Sequence, residues 1–218
     1  MTSLPSLLIV DDHPIIRTAL AEAVRSRFPK IRLETAGDAE TAISLIKTEL
    51  KKKKSASWWV LIDLGLPGIG GLEAITQLLA LGPSVRTITI SGNDDELQVG
   101  ACFGAGSSAF ISKAAPIEDT VTIIAQAVEG TLIKGTWLSA RGLADSSALN
   151  RIALTDRQMQ VLSMICQGMS NRDIADSLGI SEITAKSHVG GIFRELHVVS
   201  RTQAVLVAQK LGLFVNNH

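Results

Sequence analysis

The sequence predicts an α/β protein with a second, helical part: a five-stranded, doubly wound parallel sheet, then a small all-α domain of four helices. Three observations carry this. Over the first 130 residues, short apolar runs alternate five times with helix-period segments, the pattern of βα units that build a parallel sheet. After about residue 151, apolar residues recur only at helical spacing, between serine or threonine caps and glycine stops. The 218 residues are 46% hydrophobic and 4% aromatic, enough apolar material for two modest cores.

The expected strands are Leu7–Val10, Arg32–Ala36, Val60–Ile62, Thr87–Ile90 and Ala109–Ile111. Their continuous apolar character suits strands buried on both faces. The helices between and after them are Pro14–Arg27, Ala39–Leu50, Leu72–Leu81, Glu96–Gly104 and Pro116–Glu129. Pro14 and Pro116 suit first helical positions, and Asp38 suits an N-cap. Residues 131–151 are rich in small and polar side chains and read as a linker, which divides the chain into 1–130, 131–151 and 152–218. In the last part Thr155 is answered by Gln158, Ser170 by Asp173 and Ser200 by Gln203, each a capping-box spacing. Ser181 caps a fourth helix, and Gly168, Gly179 and Gly212 stand at C-terminal stops.

Charge is unevenly spread beneath a formal net of zero. Counted along the sequence, residues 1–130 carry 12 basic and 15 acidic groups, and residues 152–218 with Arg151 carry 7 and 5. The C-terminal part is thus mildly basic, compatible with a polyanion partner. The run Lys51–Lys54 before Trp58 and Trp59 reads as a solvated loop with its tryptophans folded on the sheet edge. Cys102 and Cys166 lie far apart in helical segments, as core residues of a reducing compartment do. The first apolar stretch ends after four residues at Asp11, too short to span a bilayer. No basic flank and long apolar core of a secretory leader precedes it. The expectation is a cytoplasmic protein without a membrane partner.

The chemistry gathers where strands end. In an open sheet of order 2-1-3-4-5, ligands sit outside the carboxyl ends of the strands, at the switch between strands one and three. Asp11 and Asp12 end the first strand and Asp63 ends the third. Three carboxylates at that range repel, so a cation belongs among them, and a hard divalent ion such as Mg2+ suits oxygen ligands. Ser91 ends the fourth strand and Lys113 follows the fifth, offering a hydroxyl and an ammonium group. Each acid alone could be a solvated strand end. The turn "DDHP" is no glycine-rich phosphate loop, which speaks against a dinucleotide enzyme. His13 reads as an exposed turn residue rather than the acid or base of a hydrolase.

The set of Asp11–Asp12, "DLGLPG" with Asp63, "ISG" with Ser91, and "AGSSAFISK" with Phe110 and Lys113 resembles the receiver domain of bacterial response regulators, a flavodoxin-like fold. The resemblance implies that Asp63 is the phosphoacceptor. It further implies that Asp11, Asp12, Asp63 and the carbonyl of Gly65 hold Mg2+, and that Ser91 and Lys113 contact the phosphoryl group. Phe110 stands where the family places an aromatic that turns inward on activation, or is simply core. Gly65 leaves the rim of the pocket without a side chain, which leaves the lifetime of the phosphate open.

Residues 152–213, with "LTDRQMQVL", "GMSNRDIADSLGIS", "TAKSHV" and "RTQAV", resemble the LuxR-type helix-turn-helix domain of the NarL/FixJ response regulators. By that resemblance the helix from Glu182 to about Leu196 enters the DNA major groove. Its apolar stripe is Ala185, Val189, Ile192, Phe193 and Leu196. Lys186 and Ser187 are candidates for base contact, and Arg172, Thr184, His188 and Arg194 for phosphates, with Gly190 on the same surface. Two adjacent mid-helix glycines, Gly190 and Gly191, cost about 2 kcal/mol against alanine and should loosen the helix. The family pairs through its last helix, here Ser200–Leu211 with Arg201, Val205 and Gln209. Together these imply a DNA-binding, non-enzymatic transcription regulator. Its implied partners are a sensor histidine kinase, double-stranded DNA, a second copy of itself and RNA polymerase.

Overall fold

The computed structural model describes residues 4–53, 56–144, 146, 154–196 and 198–210. The expected stop at Gly212, the helix end at Leu211, Lys54 and Arg151 lie outside them. The first part runs β1 (Ser6–Val10), α1 (Pro14–Arg27), β2 (Leu33–Ala36), α2 (Ala39–Lys52), β3 (Trp58–Asp63), α3 (Gly71–Leu79), β4 (Val85–Ser91), α4 (Glu96–Gly104), β5 (Ala109–Ser112) and α5 (Ile117–Glu129). The order β2-β1-β3-β4-β5 is as expected, and all these pairs are parallel.

Alternation along each strand sorts its residues to two faces. Leu8, Val10, Trp58, Val60, Ile62 and Phe110 face one way, against Ile43 and Ile46 of α2, Leu72 and Ile75 of α3, and Val99 and Cys102 of α4. Leu7, Ile9, Trp59, Leu61, Ile88 and Ile111 face the other, against Leu20 and Val24 of α1 and Ile123 and Ile124 of α5. The caps are local chemistry. Pro14 opens α1, and the Asp38 carboxylate accepts from the Thr41 N–H at the start of α2. Pro116 stands one residue earlier than expected, at the N-cap of α5.

Two expectations are corrected here. The segment 131–151 is not all linker, and among the described residues the sheet has seven strands rather than five: β6 (Thr136–Ser139) pairs parallel with β5, and β7 (Gly142–Ala144) returns antiparallel. Trp137 is 9% exposed and Leu138 is 2% exposed, on opposite faces of the sheet. The Ala140 N–H at the hairpin tip donates to Asp94 Oδ2 at 3.2 Å, in the loop between β4 and α4. The Ser146 hydroxyl donates to the Gly135 carbonyl at 2.5 Å. A four-residue strand and a three-residue strand around Gly142 (φ 110°) give periodicity too little length to register. Second, Trp58 and Trp59 are not on a loop at the sheet edge. They are the first two residues of β3, between β1 and β4, each buried beneath an arginine. The guanidinium of Arg32 lies 5.1 Å from the Trp58 ring and that of Arg86 4.3 Å from Trp59. The lysine run instead belongs to the end of α2 through Lys52.

The second part is α6 (Asp156–Cys166), α7 (Asn171–Leu178), α8 (Glu182–Glu195) and α9 (Arg201–Lys210). Thr155 with Gln158 and Ser170 with Asp173 close both arms of their capping boxes. Ser181 accepts from the Thr184 N–H. Ser200 accepts from Gln203 N–H, but the Gln203 side chain takes the Val199 N–H instead, so this box closes one residue upstream. Val161, Leu162, Ile165, Ile174, Ala185, Val189, Ile192 and Ala204 fill the bundle.

The two glycines do not interrupt α8, which is continuous, and they differ in surroundings. A Cβ on Gly190 would meet only Arg194 Nη1, at 3.8 Å, whereas one on Gly191 would come within 3.0 Å of Gln158 Nε2 on α6. Gly191 thus has a packing role, and Gly190 carries the propensity cost alone. Gly190→Ala is expected to raise the stability of the bundle by about 1 kcal/mol in chemical denaturation. Gly191→Ala should give less, because Gln158 must move.

Candidate functional site

Three strands end together, two delivering the acids and the third a lysine. Asp11 and Asp12 follow β1, Asp63 is the last residue of β3, and Lys113 follows β5. Asp11 is fully buried and Asp63 is 2% exposed, while a third of the Asp12 side chain is accessible. The Lys113 ammonium lies 2.7 Å from Asp63 Oδ2 and 2.8 Å from Asp11 Oδ2. Only the first contact has the direction of a hydrogen bond. Burial raises the Asp63 pKa, and the Lys113 ammonium and Gly65 N–H, which donates to Oδ1 at 3.1 Å, only partly reverse it. At Lys113 burial opposes the charge, but the Asp11 and Asp63 carboxylates outweigh it and hold the pKa above its usual value.

The oxygens left over point to a cation. Ligand atoms of Asp11, Asp12, His13 and Asp63 all lie within 4.8 Å of one another. Asp11 Oδ2 and Asp12 Oδ1 are buried and accept no hydrogen bond. Each has a nitrogen close by, Lys113 Nζ at 2.8 Å from Asp11 Oδ2 and His13 Nδ1 at 2.6 Å from Asp12 Oδ1, but neither contact has hydrogen-bond geometry. Buried carboxylate oxygens so incompletely satisfied are costly, and a hard divalent ion is the group that satisfies several at once. The residues present therefore fit such an ion.

Sequence reading missed two residues at the rim. His13 is exposed over most of its side chain, yet its Nδ1 is 2.6 Å from Asp12 Oδ1 and 3.2 Å from Asp11 Oδ1. Its backbone N–H donates to Asp11 Oδ1 at 2.8 Å. Arg17, one turn along α1, donates to the Asp11 carbonyl. The four-residue spacing of His13 and Arg17, directly after two acids, was the available signal.

The loop after β3 is built around glycine. Gly68 has φ +84°, and Gly71 lies so close to Leu64 that a Cβ would fall 2.5 Å from the Leu64 Cα. These turns draw α3 back onto the sheet and leave Asp63 facing the pocket. A Cβ on Gly65 would stand 3.4 Å from Asp63 Oδ2, directly beside the carboxylate. Ser91 ends β4, 5% exposed. Its hydroxyl donates to Gln98 Oε1 at 3.3 Å and accepts from the Asn93 N–H. Phe110 is fully buried, between Thr89 of β4 and Trp137 of β6.

On α8, Ala185, Val189, Ile192 and Leu196 are buried, and Phe193 is half-buried beside them. Thr184, Lys186, Ser187 and Arg194 are exposed, His188, Gly190 and Gly191 are half-buried, and Arg172 is exposed on α7. Lys186 pairs with Glu182 one turn earlier at 3.2 Å, an exposed contact of little energetic weight. The candidates on α9 separate. Arg201 donates to the carbonyls of Ile165 and Met169, finishing the end of α6, so it serves the bundle rather than an open face. Val205 is half-buried, and the exposed side of α9 carries Thr202, Leu206 and Gln209.

Comparisons with known proteins agree with this anatomy. Residues 7–125 match the response regulator receiver domain family, and residues 153–208 match the bacterial regulatory proteins of the luxR family. The chain is 30% identical to the glycerol metabolism activator of Pseudomonas putida, over 93% of this chain and 94% of that one. It is 29% identical to the nitrate/nitrite response regulator protein NarL of Escherichia coli K12, over 96% and 97%. Among solved structures it shares its fold with RcsB of Salmonella enterica serovar Typhimurium, bound to a promoter in the presence of a phosphomimetic. That match has a TM-score of 0.55 and 20% identity, and covers 94% of this chain and 98% of that one. No helix among the described residues is long and apolar enough to cross a membrane. A receiver sheet carrying an acid pocket, joined to a LuxR-type helical bundle, makes this chain a member of the NarL/FixJ-type response regulators, DNA-binding transcription regulators rather than enzymes.

Proposed function

We propose that Asp63 accepts a phosphoryl group from a phosphohistidine of a sensor kinase, and that this state controls DNA binding through α8. The observation that carries the reading is the Lys113 ammonium held between Asp63 and Asp11. The Asp63 carboxylate attacks phosphorus, a P–O bond forms as the P–N bond breaks, and the electron pair stays on the imidazole nitrogen. Lys113 offsets charge on the phosphoryl oxygens. Ser91 exchanges its bond to Gln98 for one to a phosphoryl oxygen, which pulls on the loop that follows β4. The hairpin β6–β7 is fixed to that loop through Asp94, so the pull reaches the chain that leads to α6.

Asp11, Asp12, Asp63 and the Gly65 carbonyl would hold Mg2+, with His13 at the rim. When bound, the ion supplies charge compensation for the transferring group. The setting is cytoplasmic, and the active form is a homodimer meeting through the exposed side of α9, with RNA polymerase as a further contact. Arg172, Thr184, His188 and Arg194 hold phosphates while Lys186 and Ser187 face base edges beside Gly190.

Incubation with acetyl phosphate and Mg2+ should place about one phosphoryl group on each chain, and none on Asp63→Asn or after chelation of the metal. Equal labelling of wild type and Asp63→Asn would remove Asp63 from the role. The open rim at Gly65 adds a rate prediction. Gly65→Met should fill the space beside the carboxylate and slow loss of the phosphate roughly three- to tenfold, followed as the decay of labelled protein. Faster decay in that variant would contradict the shielding argument.

A further inference from the structure

At about 100° per residue, Ile183, Ser187, Gly190 and Arg194 of α8 fall on one side, within a span of about 60°. The buried stripe of Ala185, Val189, Ile192 and Leu196 lies diametrically opposite. The strip that faces away from the bundle therefore begins with isoleucine, not with a charged or polar group. Ile183 is 81% exposed, on the first turn, whose backbone is fixed by the Ser181 cap. Seven residues on, Gly190 has no side chain and open space around it apart from Arg194. Between Ile183 and Arg194 the strip is thus low, and the isoleucine stands proud at the N-terminal end.

This isoleucine shares its surface with Lys186 and Arg194, in the mildly basic part of the chain. A single exposed aliphatic residue is ordinary on a protein surface. On a helix face aimed at base edges it has a specific consequence. On a major-groove base edge the polar donors and acceptors lose water beneath an aliphatic side chain, cytosine offers only a small C5–H, and thymine alone presents a methyl group. We infer that Ile183 is a specificity-determining residue that recognises the 5-methyl group of a thymine in the DNA major groove. The inference rests on the DNA-binding reading of α8, and on no part of the phosphorylation reading.

The test selects binding sites from a randomised duplex library with the full-length protein, then replaces each thymine of the best duplex by deoxyuridine. That change removes the methyl group and nothing else. One thymine in each half-site should cost about fourfold in affinity, as expected for burial of one methyl-sized group. Ile183→Ala should lower affinity for the thymine duplex and become indifferent to deoxyuridine at that position, whereas Ile183→Val should stay sensitive. An unchanged thermal midpoint for both variants marks the fold as intact. Deoxyuridine tolerated everywhere by the wild type, or equal sensitivity in wild type and Ile183→Ala, overturns the inference while leaving DNA binding in place. No salt-sensitive binding to any duplex would overturn the DNA-binding reading and the inference with it.

Discussion

A receiver fragment that ends at Gly130 is expected to be less stable than one that ends at Ser146 by roughly 3–5 kcal/mol. The shorter fragment loses β6, and with it Trp137 and Leu138, which are buried on opposite faces of the sheet. Removal of either side chain alone from a packed position costs a few kcal/mol. The loss is smaller than the sum because the new surface is an edge that water can reach. The same cut uncovers the β5 edge from Ala109 to Ile111, so the short fragment should also associate at high concentration. Urea denaturation of the two fragments checks this. Coincident midpoints would mean that the hairpin adds nothing to the receiver, and that the unit closes at α5.

Lys113→Ala should lower metal-free stability near pH 7 by about 3–5 kcal/mol, the usual cost of removing one partner from a buried charged set. Asp11 and Asp63 would then face each other without the ammonium that now lies between their Oδ2 atoms. The deficit has a direction with pH. Asp63 already has a raised pKa in the folded protein, so its proton stabilises the folded state relative to the unfolded one. That contribution is present at low pH and is lost as pH rises through the folded value. The ammonium now pulls that pKa down, and its loss raises it further. The variant should therefore approach wild type on acidification and fall furthest behind above its own, higher folded pKa. Mg2+ should also recover much of the loss, because it offers charge to the same oxygens. A variant as stable as wild type at every pH, without metal, would show that the ammonium is not needed to hold the acids together.

The acids, Ser91 and Lys113 were legible because each ends an apolar run, and strand ends of a parallel sheet converge by topology alone. The faces of α8 were legible for a similar reason, since a stripe at helical spacing needs no knowledge of the partner. What escaped depends on tertiary neighbours. Trp58 and Trp59 belong to β3 because their backbone pairs with β1 and β4, and arginines from two other segments cover their rings; no local pattern announces either. Arg201 looked free for a second copy because its partners, two carbonyls at the end of α6, lie more than thirty residues earlier. The cost assigned to the two glycines was a sum over propensities. It could not distinguish Gly191, which makes room for Gln158, from Gly190, which makes room for nothing inside the chain.

The hairpin also sets a leash. Ser146 is fastened to Gly135, and Leu154 precedes the cap of α6, so eight residue steps separate the two parts. At about 3.3–3.6 Å per residue they can never span more than about 30 Å, whatever course they take. The two domains of one molecule therefore meet each other at an effective concentration in the millimolar range or above. A contact between them with a millimolar dissociation constant is already half occupied on such a leash. A signal that changes that contact by about 1.4 kcal/mol shifts its equilibrium tenfold, so regulation of this chain requires only a small change in free energy and no large separation of its parts.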